Sequence, residues 1–341
     1  MSGATDELDG RLLAAIQRRV PLVARPWRQL AAELGAAEGR VCARVGALGG
    51  PDGVIREIAG IFDAPALGYA TTLAAARVLP DRLAAAGGIV AGHPGVSHAY
   101  ARGGELNLWF TLAVGPDSTL GLDGTLEVLR RRVGAERMVS LPAVRRYKLH
   151  VVFGGAPSPA APEAVGRTGV ARPAEPAPKQ VRAIRALQRP LRAVPEPFDA
   201  PARAEKLTAD DLLVHASDFL AAGWMRRYAA VLRHRRAGAA VNVLVAWRVP
   251  EDRADAFGRR AAQCESVSHC FSRAPAEGWP YNLYTMVHAA DEPTAERVVS
   301  ALAADAGGPP RAVLPTVAEY KKAKVRLFGP EVRRWEAAVS D

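Results

Sequence analysis

The chain reads as an α+β protein built twice: a tandem duplication of a winged helix-turn-helix followed by a ferredoxin-like βαββαβ domain. The first observation that predicts this is a long internal repeat. Gly53-Val-Ile-Arg-Glu-Ile-Ala59 returns as Gly223-Trp-Met-Arg-Arg-Tyr-Ala229, and Val96-Ser-His-Ala-Tyr-Ala-Arg102 returns as Val267-Ser-His-Cys-Phe-Ser-Arg273, about 170 residues later. Leu106-Asn-Leu-Trp-Phe-Thr111 and Tyr281-Asn-Leu-Tyr-Thr285 form a third pair, and Tyr147-Lys148 and Tyr320-Lys321 a fourth. The second observation is that helical spacing gives way, in each copy, to strand alternation. The third is a Pro- and Ala-rich stretch at 154–178 with no apolar periodicity, which marks a tether between the copies.

Copy one opens with a helix over Leu8 to Arg18, where Leu12, Leu13 and Ile16 recur at helical spacing, then Trp27 to Leu34 and Glu38 to Leu48. The strand at Gly53-Val-Ile-Arg-Glu-Ile completes a winged helix-turn-helix. Copy two repeats the pattern with Val181 to Gln188, Phe198 to Glu205, Thr208 to Ala221 and the strand Trp224 to Ala230. A β-α-β-β-α-β order follows each. In copy one the strands are Tyr69 to Val78, Gly95 to Arg102, Glu105 to Val114 and Arg137 to His150, with helices from Pro80 and from about Leu122. In copy two they are Ala239 to Val249, Ser266 to Arg273, Trp279 to His288 and Arg311 to Arg326, with helices at Glu251 to Gln263 and Pro293 to Ala304. The domains so marked are 1–62 and 63–153, the linker 154–178, then 179–232 and 233–330, with a C-terminal tail at 331–341.

A ferredoxin-like sheet carries helices on one face, so the other must be covered by a partner, by the second copy or by a ligand. Alternation puts Leu106, Leu108, Phe110 and Leu112 on one face of a strand and Asn107, Trp109 and Thr111 on the other; the first set should meet the helices. Asn282, Tyr284, Met286 and His288 share the parity of Asn107 and Trp109. His98, Tyr100 and Arg102 share a face, as do His269, Phe271 and Arg273, and His and Arg are poor candidates for the side under helices.

Bulk properties narrow the function class. At 341 residues and 49% hydrophobic, with no apolar run long enough for a membrane span and no secretory-type start, the chain is expected to be cytoplasmic. Cys42, Cys264 and Cys270 lack metal-ligand spacing and suit small buried hydrophobes, so no metal site is expected. The net charge of +10 invites a nucleic-acid reading, yet residues 156–206 alone carry nine basic against five acidic side chains, so much of the excess sits in the linker and one helix.

A winged helix-turn-helix ahead of a ferredoxin-like sheet resembles the Lrp/AsnC family of transcription regulators, and particular words point to one branch. Gly53-Val-Ile-Arg-Glu-Ile-Ala-Gly-Ile-Phe62, Leu67-Gly-Tyr, Gly95-Val-Ser-His and Asn107-Leu-Trp-Phe-Thr resemble one subunit of the siroheme decarboxylases. Arg227-Tyr-Ala-Ala-Val-Leu-Arg-His-Arg-Arg-Ala-Gly238, Val267-Ser-His-Cys-Phe, Trp279-Pro-Tyr-Asn-Leu-Tyr-Thr-Met-Val-His288 and Glu319-Tyr-Lys-Lys resemble the other. The resemblance covers nearly everything but the linker and implies a natural fusion of the two subunits, of the heme d1 biosynthesis type. It further implies removal of the acetate carboxyls at C12 and C18 of siroheme, giving 12,18-didecarboxysiroheme, with no dedicated organic cofactor; iron would enter only within the substrate.

An octacarboxylate tetrapyrrole calls for cations to hold it, flat side chains against its ring and one positioned proton donor. The basic run Arg233-His234-Arg235-Arg236 stands where copy one has Phe62-Asp63-Ala64-Pro65. A solvated loop is the bland reading; with the resemblance, Arg233 and Arg235 become carboxylate clamps and His234 a proton donor, since imidazole titrates near neutral pH. His269, paired with His98 across the repeat, is the second catalytic candidate, and His288 ranks third. Trp279, Tyr281, Asn282 and Tyr284 would line the ring, and Tyr320, Lys321 and Arg145 would converge on the anionic substrate, although core aromatics and a charged surface strand are the ordinary readings. The expected partners are siroheme and a second chain, as a homodimer or as a second decarboxylase subunit pair, with neither nucleic acid nor membrane.

Two rival classes frame this reading. A ligand-sensing DNA-binding regulator shares the module pairing, but the third helix of copy two carries Asp210, Asp211 and Asp218, which would face phosphates unfavourably, and copy one offers only Arg40 and Arg44 beside Glu38. A non-catalytic tetrapyrrole carrier would need the same clamps and no proton donor.

Overall fold

The computed structural model describes residues 7–149, 166–167, 173–233 and 241–340. Copy one comprises α1 (Glu7–Arg18), α2 (Pro26–Leu34), α3 (Glu38–Leu48) and β1 (Ile55–Phe62), then β2 (Ala70–Arg77), α4 (Leu83–Gly92), β3 (Val96–Arg102), β4 (Leu108–Val114), α5 (Gly121–Val133), β5 (Arg137–Leu141) and β6 (Ala143–Leu149). A two-residue strand, β7 (Gly166–Arg167), lies within the tether. Copy two comprises α6 (Pro178–Leu187), α7 (Asp199–Ala204), α8 (Ala209–Ala221) and β8 (Met225–Leu232), then β9 (Val241–Trp247), α9 (Glu251–Gln263), β10 (Val267–Arg273), β11 (Leu283–Ala289), α10 (Glu292–Asp305) and β12 (Arg311–Lys322). The segment read as a tail folds into α11 (Glu331–Ser340).

Like modules associate. One compact unit holds Met1–Leu67, Pro173–Arg236 and Arg326–Gly329, the other Gly68–Arg172, Ala237–Val325 and Pro330–Asp341. In the helical unit the strands expected as wings pair with each other: β1 runs antiparallel to β8 with Ala59 opposite Ala229. Each copy's first helix then packs on the other copy's strand, α1 on β8 and α6 on β1. The Val20 amide donates to the Tyr228 carbonyl at 2.7 Å and the Leu191 amide to the Ile58 carbonyl at 2.8 Å. Helix starts follow local chemistry: Pro26 occupies the first turn of α2, and the Thr208 hydroxyl accepts from the Asp211 amide to cap α8.

In the sheet unit the strand order is β5-β2-β4-β3-β12-β9-β11-β10-β6-β7. Each copy has the ferredoxin-like order, and the ends of the last strands are exchanged. Copy one's last strand pairs with β2 as far as Leu141, breaks at Pro142 and continues as β6 against β10 of copy two. Copy two's β12 pairs with β9 through Pro315 and then with β3 of copy one from Thr316. Each exchange covers an edge strand that would otherwise expose unpaired amides and carbonyls. A proline stands at each crossover, where the strand changes neighbours and a missing N–H costs least. Arg102 Nη1 donates to the Leu314 carbonyl at 3.1 Å and Arg273 Nη1 to the Leu141 carbonyl at 2.7 Å, so a guanidinium of each copy serves the carbonyl just before the other's proline.

Three apolar clusters hold this unit. Leu108, Phe110 and Leu112 of β4 meet Val90, Leu126 and Leu129 of the helices, as the alternation predicts. Val245, Trp247, Val267, Leu283 and Val287 do the same in copy two against Phe257, Ala261, Val299 and Leu302. The third cluster joins the sheets face to face: Ala75, Leu106, Trp109, Val139 and Leu141 against Leu244, Ala246, Trp279, Tyr284 and Leu314. The second copy is therefore what covers each sheet's helix-free face. Leu106 departs from the alternation because β4 begins only at Leu108, which leaves it free to turn into the inter-sheet cluster.

Candidate active site

The repeated Val-Ser-His words place one histidine on each copy's second strand. His269 lies opposite Met286 on β11, and His98 opposite Thr111 on β4. His98 also faces Lys322, carried in by the exchanged end of β12. Burial holds the His269 imidazole down to about 3, and the neighbouring charges of His288, His98, Lys322 and Arg273 push the same way. Imidazoles of both copies and cations from β10 and β12 therefore converge on one region of the sheet unit. His269 is neutral there at physiological pH.

Behind His269 lies a hydroxyl bridge. Ser268 Oγ is 2.7 Å from His269 Nδ1 and 2.7 Å from His288 Nε2, and Ser268 is buried. In copy one Ser97 Oγ sits 3.0 Å from His98 Nδ1 and 2.5 Å from the Thr111 hydroxyl, so that chain of contacts ends on an alcohol. Arg273 reaches over the rings of Phe271 and Tyr284, with 5.2 and 5.9 Å to their centroids; burial lowers it to about 10, and it keeps its charge at neutral pH.

Other expected site residues are engaged elsewhere. Asn282 grips Val249, its amide donating to the carbonyl at 2.8 Å and its oxygen accepting from the N–H at 2.9 Å; Asn107 does the same to Val78. Trp279 Nε1 donates to the Tyr284 hydroxyl at 2.9 Å, that hydroxyl donates to the Tyr281 carbonyl at 3.2 Å, and the Trp109 and Trp279 centroids are 5.6 Å apart. Trp279 and Tyr284 are thus inter-sheet core, with Tyr281 packed against it. Tyr320 packs its ring over Gly87 of α4, and Lys321 Nζ donates to the His93 carbonyl at 2.8 Å. Their counterparts match: Tyr147 covers Gly258 of α9 and Lys148 Nζ donates to the Cys264 carbonyl at 2.8 Å. Arg145 is ion-paired with Asp255 on α9, the helix side of the sheet. Arg233, in the helical unit, donates through Nη1 to the carbonyls of Gly50, Gly53 and Ile55. Asn282, Lys321, Arg145 and Arg233 thus bond to the protein's own groups, and the Tyr320 ring packs on a helix. His234 and Arg235 lie outside the described residues.

Family models match this architecture module by module. An AsnC-like ligand binding domain matches residues 66–148 and again 236–321, and a siroheme decarboxylase NirDL-like HTH domain matches residues 9–56. The chain is 33% identical over 325 residues to a siroheme decarboxylase of Hydrogenobacter thermophilus, which covers 95% of this chain and 96% of that protein. The chain belongs to the siroheme decarboxylase family. A crystal structure of the siroheme decarboxylase NirDL in co-complex with an iron-uroporphyrin III analogue superposes with a TM-score of 0.81 at 28% identity, covering 98% of this chain and 99% of that one. The siroheme decarboxylase alpha subunit of Nitratidesulfovibrio vulgaris is 38% identical and spans 82% of its own length but only 43% of this chain. Here, then, the siroheme decarboxylase architecture is a two-copy fusion.

Several cations of the helix-turn-helix unit are paired within the protein. Arg44 of α3 is bound bidentately by the buried Asp9 of α1, and Asp211 of α8 pairs with Lys179 at 2.9 Å. Arg185 and Arg189 of the basic second half pair with the buried Glu205 at 3.3 and 3.1 Å. Among the described residues no cluster of His, Cys, Asp and Glu is arranged to hold a metal ion, and no helix is long and apolar enough to cross a membrane. The residues that single-strand reasoning passed over are Ser268, Arg273 and Lys322 as members of the His269 group. The signal for Ser268 was present in the sequence, as a serine immediately before the histidine in both copies.

Proposed function

We propose that this chain is a siroheme decarboxylase of heme d1 biosynthesis, removing the acetate carboxyls at C12 and C18 of siroheme as two CO2 to give 12,18-didecarboxysiroheme. The observation that carries the reading beyond family membership is the convergence of His269, His98, His288, Lys322 and Arg273 in one region of the sheet unit. Lys322 and Arg273 are cations suited to substrate carboxylates, and His269 holds a neutral N–H suited to proton delivery. When an acetate C–C bond breaks, its electron pair stays on the methylene carbon, delocalised into the tetrapyrrole. Delivery of one proton to that carbon yields the methyl group. The protein's task is to orient the carboxylate, keep the developing carbanion from water and supply that proton.

No dedicated cofactor takes part in this scheme, and iron enters as part of the substrate. His269 is the proton donor at the described site; His234, with Arg235, is a second donor and clamp borne by the basic loop. The chain works in the cytoplasm, as a homodimer or with a second decarboxylase subunit pair. The test is anaerobic incubation of the purified chain with siroheme and mass analysis of the extracted tetrapyrrole. Loss of two CO2 units is expected; siroheme bound but unchanged would overturn the enzymatic reading in favour of a carrier.

A further inference from the structure

Ser268 is placed between two imidazoles, and a single hydroxyl constrains both. It has one proton to donate and lone pairs to accept. With Nδ1 of His269 and Nε2 of His288 each 2.7 Å from Oγ and the Met286 carbonyl at 3.4 Å, the hydroxyl can donate to one ring while accepting from the other, or donate to the carbonyl while accepting from both. If Ser268 donates to His269 Nδ1, the proton of neutral His269 must sit on Nε2, the nitrogen not held by Ser268. If Ser268 donates to His288 instead, His269 carries its proton on Nδ1 and presents a bare Nε2. Whenever the hydroxyl donates to a ring rather than to the Met286 carbonyl, it couples the tautomer of His269 to the protonation of His288. In copy one Ser97 contacts His98 and the Thr111 hydroxyl, and Ala113 stands where copy two has His288.

We propose that Ser268 is a positioning residue, linking His288 to His269 as a proton relay for decarboxylation. The inference rests on the function proposed above. As CO2 leaves, the electron pair on the methylene carbon takes the Nε2 proton of His269. The Ser268 hydroxyl proton moves to His269 Nδ1, and the Nε2 proton of cationic His288 moves to Ser268 Oγ. One proton has passed from His288 to carbon; His269 is neutral before and after, with its tautomer exchanged, and His288 ends neutral. A proton entering from water at His269 Nε2 runs the shift backwards and resets the site for the second acetate. A relay is what a donor in this position requires. His269 is half-buried and faces His98 from β3, Lys322 from β12, Arg273 from its own strand and His288 from β11, all of which oppose storing a positive charge on its ring.

The test uses the full chain and siroheme itself, with binding followed by the absorption of the bound tetrapyrrole and single turnovers followed by mass. Ser268→Ala should lower the decarboxylation rate roughly 10- to 100-fold, the size typical of losing a group that orients a reacting histidine, with siroheme binding changed less than about threefold. Ser268→Thr, which keeps the hydroxyl, should restore most of the rate. His288→Gln keeps a hydrogen-bonding group but cannot store a proton, and should match Ser268→Ala; the double variant should be no slower than either single one. Should the Ala variant fold poorly, the His288→Gln and Ser268→Thr pair decides alone. Full activity in Ser268→Ala or His288→Gln, multiplicative losses in the double variant, or a loss seen only in binding would overturn the relay. Failure of the unsubstituted chain to release CO2 would instead overturn the decarboxylase reading.

Discussion

The two halves of the sheet unit share the devices that close the fold and differ in what stands behind the histidine. Each copy closes its neighbour with an exchanged strand, a proline at the crossover, a tyrosine over a helix glycine and a lysine on a helix-end carbonyl. Asn107 and Asn282 make the same two-point grip, and Arg102 and Arg273 serve reciprocal carbonyls. Ser97 joins His98 to the Thr111 hydroxyl, whereas Ser268 joins His269 to a second imidazole, His288. Duplication supplied a symmetric frame in which one copy elaborated chemistry while the other kept its part in closing the structure.

The sharpest way to break that comparison is to remove each histidine in turn. His269→Ala should slow single-turnover decarboxylation about 10²- to 10³-fold, as expected for loss of a proton donor. His98→Ala, lacking a relay behind it, should cost less than about tenfold and act chiefly on binding. Equal losses would mean that both copies deliver protons and that the asymmetry is incidental.

How much of this was legible beforehand follows from the range of each signal. Strand and helix identities come from periodicity over a few residues, and the internal repeat confirmed them twice. Alternation puts Tyr284 and His288 on one face of β11 and His269 with Arg273 on one face of β10, and the poor fit of His and Arg under helices points to the helix-free side. Strand exchange was invisible: Leu141-Pro142 and Leu314-Pro315 look alike as words, and only pairing shows that residues 143–149 and 316–322 serve the opposite copy. That is why the helix-side contacts of Tyr320, Lys321 and Arg145 could not be read from the sequence. A charged strand end reads as a ligand clamp when the helix it packs against belongs to the other copy, about 230 residues away in sequence for Lys321 and His93. The grip of Asn282 on Val249 was hidden for the opposite reason, since it is a local device that polar-residue counting cannot tell from a binding group.

A second asymmetry lies at the end of the first helix, where copy one has His93 and copy two Cys264, each offering its carbonyl to the other copy's lysine. His93 is fully buried, its ring centroid 4.2 Å from that of Trp335 on α11. Burial, reinforced by Lys321 and opposed by Glu336, lowers it to about 4. The unfolded chain takes up this proton near pH 6.5 and the folded chain only near 4, so stability is full above about 6.5 and falls as pH drops between the two values. The loss should reach about 2 kcal/mol by pH 5. His93→Cys, which copies the second half of the molecule, should flatten that part of the stability–pH curve in urea titrations. His269 has the same sign but is common to both proteins and cancels in the difference. An unchanged curve would show that folding does not shift the titration of His93.

The smallest effect tests the symmetry itself. A Cβ at Gly87 would overlap the Tyr320 ring, and one at Gly258 the Tyr147 ring, so each helix admits a tyrosine from the exchanged strand only because it lacks a side chain there. Gly→Ala in a helix ordinarily gains about 1 kcal/mol, while overpacking a tight contact costs about 1–3 kcal/mol. The two terms should leave Gly87→Ala and Gly258→Ala each destabilised by about 1 kcal/mol, similar in both copies. Pairing each with its partner's truncation, Tyr320→Leu or Tyr147→Leu, should recover the helix gain and make the alanine favourable, because the clash is then gone. If one glycine proves freely replaceable while the other does not, the exchanged strands are not equivalent clamps, and the division into a symmetric frame and an asymmetric site would have to be redrawn around the copy that tolerates the change.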